Sequence, residues 1–420
     1  LSAGMALYTG LTSLATYLTS SGVARRVLNL ALWWVIFEWI RGWAFTGFPW
    51  NLLGTVWTNS ESMIQVTAVT GIFGLSLVTV LAAASPAVLG GDRIPLFKRW
   101  VLIFITWAVL VLVWAGGYIR LNGATEANVE GVQLRLVQPN IAQRDKWKLQ
   151  FRGHHFDKLL RLSSLRNQIP TLAPTHIIWP ETATPFFFNS DLKALGAISA
   201  IVPIDGALIT GAPRQTRTPN GAKEIWNSIH IIDSFARIRD TYDKYHLVPI
   251  GEYVPFRGYF SFSSLTGGRI DFSPGPGPKT LAVPNAPPVI PLICYEAIFP
   301  HNLKYQGSHS TPGWLLNLTN DAWFGLSSGP YQHFAAAQLR SVEVGLPLVR
   351  VANTGLSGVI DSYGRVRIRT NLNQEIAVES PLPKPFPGIT WFVKHGNTTV
   401  FVLCFLLFWI SRLEYFSFEE

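Results

Sequence analysis

The chain offers two thiols for covalent chemistry, and they lie in unlike surroundings. Cys294 ends the strand-like run P-L-I-C-Y-E, whereas Cys404 lies in the apolar run V-F-V-L-C-F-L-L-F-W. We interpret Cys404 as a small apolar residue of a membrane segment. Cys294 is either an inert buried thiol or a nucleophile, and its spacing alone leaves both alternatives open.

A nucleophilic thiol needs a base to take its proton and a donor to stabilise the oxyanion that forms next. Glu181 follows the run I-I-W-P, and Lys244 and Glu252 lie together in D-K-Y-H-L-V-P-I-G-E-Y-V-P-F. Each of them also has an ordinary interpretation, as a surface carboxylate, a solvated lysine or a structural ion pair. Taken singly, none of these residues predicts catalysis.

The elements that must position these residues alternate between strands and helices. Short apolar runs predict strands, and three amphipathic stretches predict helices near Gln150–Asn167, Asp191–Ile201 and Tyr331–Val344. The strands are expected from Val132 onward and at His176–Trp179, Ala207–Gly211, Ile225–Ile232, Val289–Cys294, Trp314–Leu318, Leu348–Ala352 and Ser357–Asp361. This alternation predicts a layered α/β domain. The Gly- and Pro-rich stretch Phe256–Pro278 predicts a long loop, a candidate lid.

The rest of the chain has the composition of a membrane protein. Only 14% of the residues are charged and 48% are hydrophobic, against about 25% charged in ordinary soluble proteins. A helix needs about 20 apolar residues to cross a bilayer. Candidate spans are Leu1–Ala24, Val27–Phe45, Ser62–Gly91, Trp100–Ile119 and Gly396–Ser411. In the second of these, Glu38 and Arg41 lie on one helical face and are expected to pair.

The cations of the short loops predict the orientation of these spans. Arg25, Arg26 and the Arg93–Arg99 loop fall where the positive-inside rule expects cytoplasm. The predicted domains are therefore a four-span bundle at 1–120, a soluble domain outside the membrane at 121–388, and a final span with a short cytoplasmic tail at 389–420. Leu1 opens inside an apolar run, so we expect earlier spans to be missing. No basic stripe indicates nucleic acid.

Four motifs, in order behind the apolar segments, resemble a known family. W-P-E-T, D-K-Y-H-L-V-P-I-G-E-Y-V-P-F, I-C-Y-E and N-D-A-W-F-G are similar to those of bacterial apolipoprotein N-acyltransferases, membrane-embedded members of the nitrilase superfamily. The resemblance covers essentially the whole chain, including the Phe48-Pro49-Trp50 loop. It implies a multi-span helical bundle that carries a nitrilase-like α-β-β-α sandwich.

The resemblance also implies roles for particular residues. Glu181 would be the general base, Lys244 the oxyanion-stabilising cation and Cys294 the nucleophile. Supporting roles fall to Glu252, which positions Lys244, and to Tyr295 and Glu296, of which Tyr295 supplies an oxyanion-hole N–H. Trp147 in R-D-K-W-K and Asn227 in I-W-N-S match substrate-site positions. Phe186, Phe187 and Phe188 would either contact lipid or belong to the core.

The implied reaction moves an acyl chain from a phospholipid, through a Cys294 thioester, to the α-amine of a diacylglyceryl-cysteine on a lipoprotein. The implied location is the bacterial inner membrane, multi-pass, with the catalytic domain in the periplasm. The expected protein is a monomer that works at the bilayer with no cofactor and no metal. The alternative is a membrane-tethered nitrilase-type amidase, in which water resolves the thioester.

Overall fold

The computed structural model describes residues 2–91, 95–166, 173–188, 191–217, 221, 223–255, 271–303 and 311–413. Within it the chain forms two compact units. The first comprises residues 1–125, 338–345 and 387–420, and the second comprises 126–337 and 346–386. Of the predicted lid, residues 256–270 lie outside the described residues.

The first unit is built from helices. They are α1 (Ser2–Thr19), α2 (Val23–Arg41), α3 (Glu61–Ile64), α4 (Thr67–Ala84), α5 (Leu96–Asn122), α9 (Trp391–His395) and α10 (Thr398–Arg412). Most of their buried apolar side chains belong to a cluster that includes Val35, Leu75 and Val400, and Ala24 and Val27 of α2 pack with Val88 in a second one. The predicted first span, Leu1–Ala24, is wrong in its boundary, because α1 ends at Thr19 and Gly22, with φ 75°, precedes α2.

Two helical stretches among the described residues are long and apolar enough to cross a membrane. They are Thr67–Gly90 and Leu96–Asn122, and Thr398–Arg412 is a shorter apolar helix. The other two predicted spans fall on α1 and α2, which are helical without meeting that test. The apolar helices indicate a membrane-associated protein.

The polar pair of α2 holds the loop that follows this helix. Glu38 Oε1 accepts a hydrogen bond from the backbone N–H of Leu53 at 2.7 Å, and Arg41 Nη2 donates to the carbonyl oxygen of Trp50 at 3.0 Å. The two side chains were expected to pair, and their charges do interact. Each also satisfies a main-chain group of the segment 50–53, which follows Phe48-Pro49.

The second unit contains two β-sheets. Its strands are β1 (Asn128–Gln138), β2 (His176–Ile178), β3 (Ala207–Arg217), β4 (Lys223–Asp233), β5 (Ile238–Asp243), β6 (Val289–Ile293), β7 (Trp314–Thr319), β8 (Leu348–Ala352), β9 (Gly358–Ile360), β10 (Val366–Arg369) and β11 (Ile376–Pro383). One sheet has the order β11-β1-β2-β3-β4-β5 and the other β10-β9-β8-β7-β6. β1, β2 and β3 are parallel, as are β6, β7 and β8.

The two sheets share one core, and helices cover their outer faces. Leu136 and Ile209 of the first sheet cluster with Leu316 and Val351 of the second. On the far side of the first sheet lie α6 (Arg152–Ser163) and α7 (Leu192–Ser199), as their buried side chains cluster with those of β1 and β3. Phe334 of α8 (Gly329–Val344) packs on Gly358 of the second sheet. This is the nitrilase-like α/β sandwich that the resemblance implied.

Three strands were missed by the sequence analysis, and each has a physical reason. β5 (I-R-D-T-Y-D) and β10 (V-R-I-R) both contain charged residues among their apolar ones, and each lies at the edge of its sheet. β11 is also an edge strand and carries two prolines, which are tolerated there because an edge strand has fewer N–H groups to pair. Hydrophobic runs do not reveal edge strands of this kind, whereas β6, an edge strand that is buried throughout, was predicted from its apolar run.

Candidate active site

The predicted site residues lie at the ends of strands. Glu181 comes three residues after β2, Lys244 directly follows β5, and Cys294 directly follows β6. Asn227 lies within β4, beside β5. Because parallel strands place their carboxyl ends at one edge of a sheet, the layers of the second unit can bring these side chains together.

A chain of hydrogen bonds joins the buried carboxylates to the buried lysine. Asn227 Nδ2 donates to Glu181 Oε1 at 2.7 Å and to Glu252 Oε1 at 3.0 Å. Lys244 Nζ lies 2.8 Å from Glu252 Oε2, and the two side chains are 1% and 8% exposed. Burial acts to lower the pKa of Lys244, but the charges of Glu252 and Glu181 outweigh it and raise the pKa. Lys244 is therefore a fixed cation.

The turn that carries Glu181 is packed against the neighbouring strand. Thr182 has φ 42°, and the N–H of Gly211 in β3 donates to the carbonyl oxygen of Pro180 at 3.2 Å. A Cβ on Gly211 would lie 2.6 Å from that oxygen and 2.6 Å from the nitrogen of Thr182. Glycine is thus required at position 211 for the turn to approach the sheet.

The nucleophile candidate has a strained backbone and a neutral side chain. Cys294 has φ 51°, which is rare for a residue with a side chain, and begins a short 3-10 helix after β6. Burial, then the charge of Glu181, raises the pKa of the Cys294 thiol to about 12, although Lys244 acts to lower it. The thiol consequently needs a base to give up its proton near neutral pH.

A chain of hydrogen bonds between buried side chains ends on the main-chain carbonyl group of Cys294. His333 Nε2 lies 3.1 Å from the Cys294 carbonyl oxygen, and because a carbonyl only accepts, this nitrogen carries the proton in that contact. His333 Nδ1 lies 2.9 Å from Asp321 Oδ1, and Arg350 Nη2 donates to Asp321 Oδ2 at 2.7 Å. Burial acts to raise the pKa of Asp321, but Arg350 and His333 hold it well below the usual range.

Glu296 connects the strand before the thiol to the segment after Lys244. Its carboxylate accepts hydrogen bonds from the backbone N–H of Ile293 at 2.7 Å, from the Tyr242 hydroxyl at 2.7 Å, and from the backbone N–H groups of Tyr245 and His246. Burial raises the pKa of Glu296 to about 7, although Lys244 and these donors act to lower it. Glu296 therefore orders the backbone on both sides of the site.

The remaining predicted residues lie at the margin of this network. Tyr295 is 9% exposed, and its ring packs edge-on against Phe299. Trp147 is 43% exposed. Phe186 and Phe188 belong to the core beneath α6 and α7, which favours packing for these two, whereas Phe187 is half-buried outside that cluster.

Two residues of the site were missed by the sequence analysis. Lys146, 3% exposed, donates to the main-chain oxygen of Glu181 at 3.0 Å, and His333 supports Cys294. Lys146 immediately precedes Trp147, so the motif that pointed to the tryptophan could also have pointed to the lysine. His333 had no signal, since it lies inside a helix. No group of three His, Cys, Asp or Glu residues within the described ranges is arranged to hold a metal ion.

Family models recognise both parts of the chain. Residues 1–85 match the model described as the apolipoprotein N-acyltransferase N-terminal domain, and residues 176–379 match that of the carbon-nitrogen hydrolases. The second match contains Glu181, Lys244 and Cys294. The fold and the matched models therefore define an enzyme of the carbon-nitrogen hydrolase superfamily joined to a membrane-associated unit.

Relatives narrow this class to one family. An apolipoprotein N-acyltransferase of Rhodopseudomonas palustris is 39% identical over 99% of this chain and 78% of its own length. That of Brucella melitensis is 38% identical over 89% of this chain and 70% of its own length. That of Rickettsia bellii is 34% identical over 91% of this chain and 74% of its own length. The chain belongs to the apolipoprotein N-acyltransferase family and is an acyltransferase. The resemblance seen in the four motifs is thus confirmed, and the amidase alternative is not favoured.

A solved amidase from Nesterenkonia sp. matches 67% of this chain and 99% of its own, at 15% identity with a TM-score of 0.44.

Proposed function

We propose that Cys294 is the nucleophile, Glu181 the general base and Lys244 the oxyanion-stabilising cation of an acyl transfer to lipoproteins. The observation that carries this proposal is the buried chain from Glu181 through Asn227 and Glu252 to Lys244. The Cys294 thiol lies within the electrostatic influence of both ends of this chain, Glu181 and Lys244. This arrangement of base, cation and thiol supports nucleophilic catalysis.

In the first step the acyl chain leaves a phospholipid. The carboxylate of Glu181 takes the proton of the Cys294 thiol, and the sulfur attacks the ester carbonyl. Lys244 and the N–H of Tyr295 would stabilise the oxyanion, which is a large term in acyl transfer. Collapse of this intermediate breaks the ester bond, and the leaving alkoxide takes the proton from Glu181. The products are a Cys294 thioester and a lysophospholipid.

In the second step the α-amine of a diacylglyceryl-cysteine attacks the thioester. Glu181 accepts the proton that the amine loses and transfers it to the Cys294 thiolate as that thiolate leaves. The amide bond forms as the thioester bond breaks, so the enzyme returns to its initial state. An amine resolves a thioester readily, which is the advantage of dividing one transfer into two steps.

The supporting residues have separate roles in this proposal. Glu252 holds Lys244, Asn227 orients both carboxylates, and Glu296 fixes the backbone before Cys294 and after Lys244. Trp147, 43% exposed, is left free to contact an acyl chain. All of these side chains come from one chain, so the proposal requires only a monomer.

The membrane topology belongs to the same proposal. Large apolar side chains are exposed along three helices of the first unit, and lipid would cover them. Examples are Leu14 and Leu18 of α1, Phe104 and Leu112 of α5, and Phe405 and Trp409 of α10. We place five spans in the inner membrane, with 1–120 and 389–420 as the membrane parts and 121–388 in the periplasm, where both lipid substrates would be presented.

The decisive experiment follows the fate of Cys294. Full-length protein in detergent is incubated with phosphatidylethanolamine vesicles, and its intact mass is measured. We expect one added acyl group that maps to Cys294 and is released by neutral hydroxylamine. Cys404→Ser is the matched control and should acylate normally, because Cys404 is buried in the apolar cluster of the first unit. An adduct that persists in Cys294→Ala would exclude the proposed nucleophile.

The acceptor is tested by adding a diacylated lipopeptide to the acylated protein. The adduct should disappear as a triacylated lipopeptide forms. Discharge to free fatty acid at the same rate, with or without lipopeptide, would instead identify a hydrolase.

A further inference from the structure

Lys146 is a buried lysine beside the proposed base, and no role assigned above uses it. Lys146 is 3% exposed, and its Nζ donates a hydrogen bond to the main-chain oxygen of Glu181 at 3.0 Å. Lysine is rarely buried unless its charge is compensated, because an ammonium loses its hydration there. Lys146 must therefore be held by charges of the site.

The local backbone directs this side chain inward and its neighbours outward. The N–H groups of Asp145 and Lys146 donate to the Ala142 carbonyl at 3.0 and 3.2 Å, and that of Lys148 donates to Asp145 at 3.1 Å. This turn leaves Trp147 43% exposed and the Lys148 side chain 51% exposed. Of the two lysines of the R-D-K-W-K motif, only Lys146 reaches the interior.

The bond from Lys146 ends on a turn that carries strain. Glu181 precedes Thr182, whose φ is 42°, and the turn is pressed against Gly211. A strained conformation persists only when its surroundings hold it. The Lys146 ammonium is one such constraint, because it fixes the carbonyl group of the residue whose carboxylate is the proposed base.

The charges of the site also require a second cation. Lys244 is paired directly with Glu252, which leaves Glu181 bonded to the neutral amide of Asn227. The charge of Glu181 attracts the Lys146 ammonium, as does that of Cys294 once it is a thiolate, and both oppose the burial that lowers the pKa of Lys146 to about 8. The Lys146 ammonium thus stabilises the negative charge both when it lies on the Glu181 carboxylate and when it lies on the Cys294 sulfur.

We infer that Lys146 is a positioning residue of the acyl transfer, which holds the Glu181 turn and stabilises the anion shared by Glu181 and Cys294. The inference rests on the proposed function. In the first step the proton moves from the sulfur to the carboxylate, and the negative charge moves in the opposite direction. Lys146 makes and breaks no covalent bond and gives up no proton in this step.

The test measures how readily Cys294 forms a thiolate, independently of any lipid. Full-length protein in detergent is treated with iodoacetamide between about pH 6 and about pH 9, and alkylation of Cys294 is followed by peptide mass spectrometry. Lys146→Met should react on the order of tenfold more slowly near neutral pH, and the difference should shrink above about pH 8, where Lys146 loses its own charge. Lys146→Arg, which keeps the charge, should remain close to the wild type.

Lys148→Met is the matched control, since it removes an exposed lysine from the same turn, and its rates should equal those of the wild type. Wild-type rates in Lys146→Met at every pH would overturn the inference. If Lys146→Met does not fold, Lys146→Arg decides, because a rate tenfold below the wild type with an unchanged Tm would overturn the role of the charge. A wild-type Cys294 that is not alkylated at any pH would count against the proposed nucleophile itself, a failure distinct from these.

Discussion

The ion pair between Lys244 and Glu252 allows a stability prediction with a definite size. Glu252→Gln keeps the shape of the side chain, but its one remaining oxygen can accept from only one of the two donors, Asn227 at Oε1 or Val248 at Oε2. It removes the charge that lies 2.8 Å from the Lys244 ammonium. At an effective dielectric constant of about 20 that attraction is about 6 kcal/mol.

Other carboxylates limit the loss. Glu181 and Glu296 also attract Lys244, so we expect about 3–5 kcal/mol, the usual result of breaking a buried pair from one side. For a unit of this size that corresponds to a fall in Tm of roughly 6–20 °C. Arg161→Met, which removes one partner of the more exposed pair with Glu375, should cost less than about 1 kcal/mol.

A double variant separates charge from shape. Tm is measured by differential scanning fluorimetry in one detergent for the wild type, Glu252→Gln, and Glu252→Gln combined with Lys244→Met. The second substitution removes the uncompensated ammonium, so the double variant should recover part of the lost Tm although it is inactive. A Glu252→Gln protein as stable as the wild type, or a double variant less stable than the single one, would refute the reasoning.

Two further predictions concern the supports of the site. Asp321→Asn leaves Arg350 without its carboxylate, and we expect a loss of about 3–5 kcal/mol at neutral pH. Because the pKa of Asp321 is depressed, that contribution is complete above about pH 4 and is lost only as the pH falls further. The difference in Tm between the wild type and Asp321→Asn should therefore be constant between about pH 8 and about pH 5. A difference that disappears within that range would contradict this assignment. Gly211→Ala should lower both Tm and Cys294 acylation, because it displaces the Glu181 turn. Gly196→Ala should raise Tm slightly, because its Cβ would meet open space and the residue lies in a helix. Equal effects of the two substitutions would disprove the steric argument.

The sequence revealed the strands that have a continuous apolar run, including β6 at a sheet edge, better than those that lack one. β7 and β8 are buried throughout, and their apolar runs predicted them closely. β11 could not be found in this way, because a strand that contains prolines and ends a sheet has no continuous apolar run. The two long apolar helices, Thr67–Gly90 and Leu96–Asn122, were predicted from their apolar length, but the break between α1 and α2 depends on Gly22, which composition does not register.

For the site, the order of the motifs was informative and the spacing was not. Glu181 and Cys294 are far apart along the chain, and only the pairing of β1, β2 and β3 in one sheet and β6, β7 and β8 in the other brings their strand ends into one unit. Lys146 could not be distinguished from Lys148 by residue type, since burial, which separates them, is a property of the folded turn.

The division of α8 between the two units limits how this protein can be dissected. The chain passes from one unit to the other four times, and residues Gln338–Gly345 at the end of α8 count with the helical unit. There Leu339 and Val342 are fully buried in its apolar cluster, and Glu343 caps the N–H of Ile72 beside the break in α4 at Gly71. A fragment cut at the ends of the predicted soluble domain, 121–388, would carry this stretch without its partners. It would expose an apolar surface in water, so a soluble version of the catalytic unit needs new polar residues at 339 and 342.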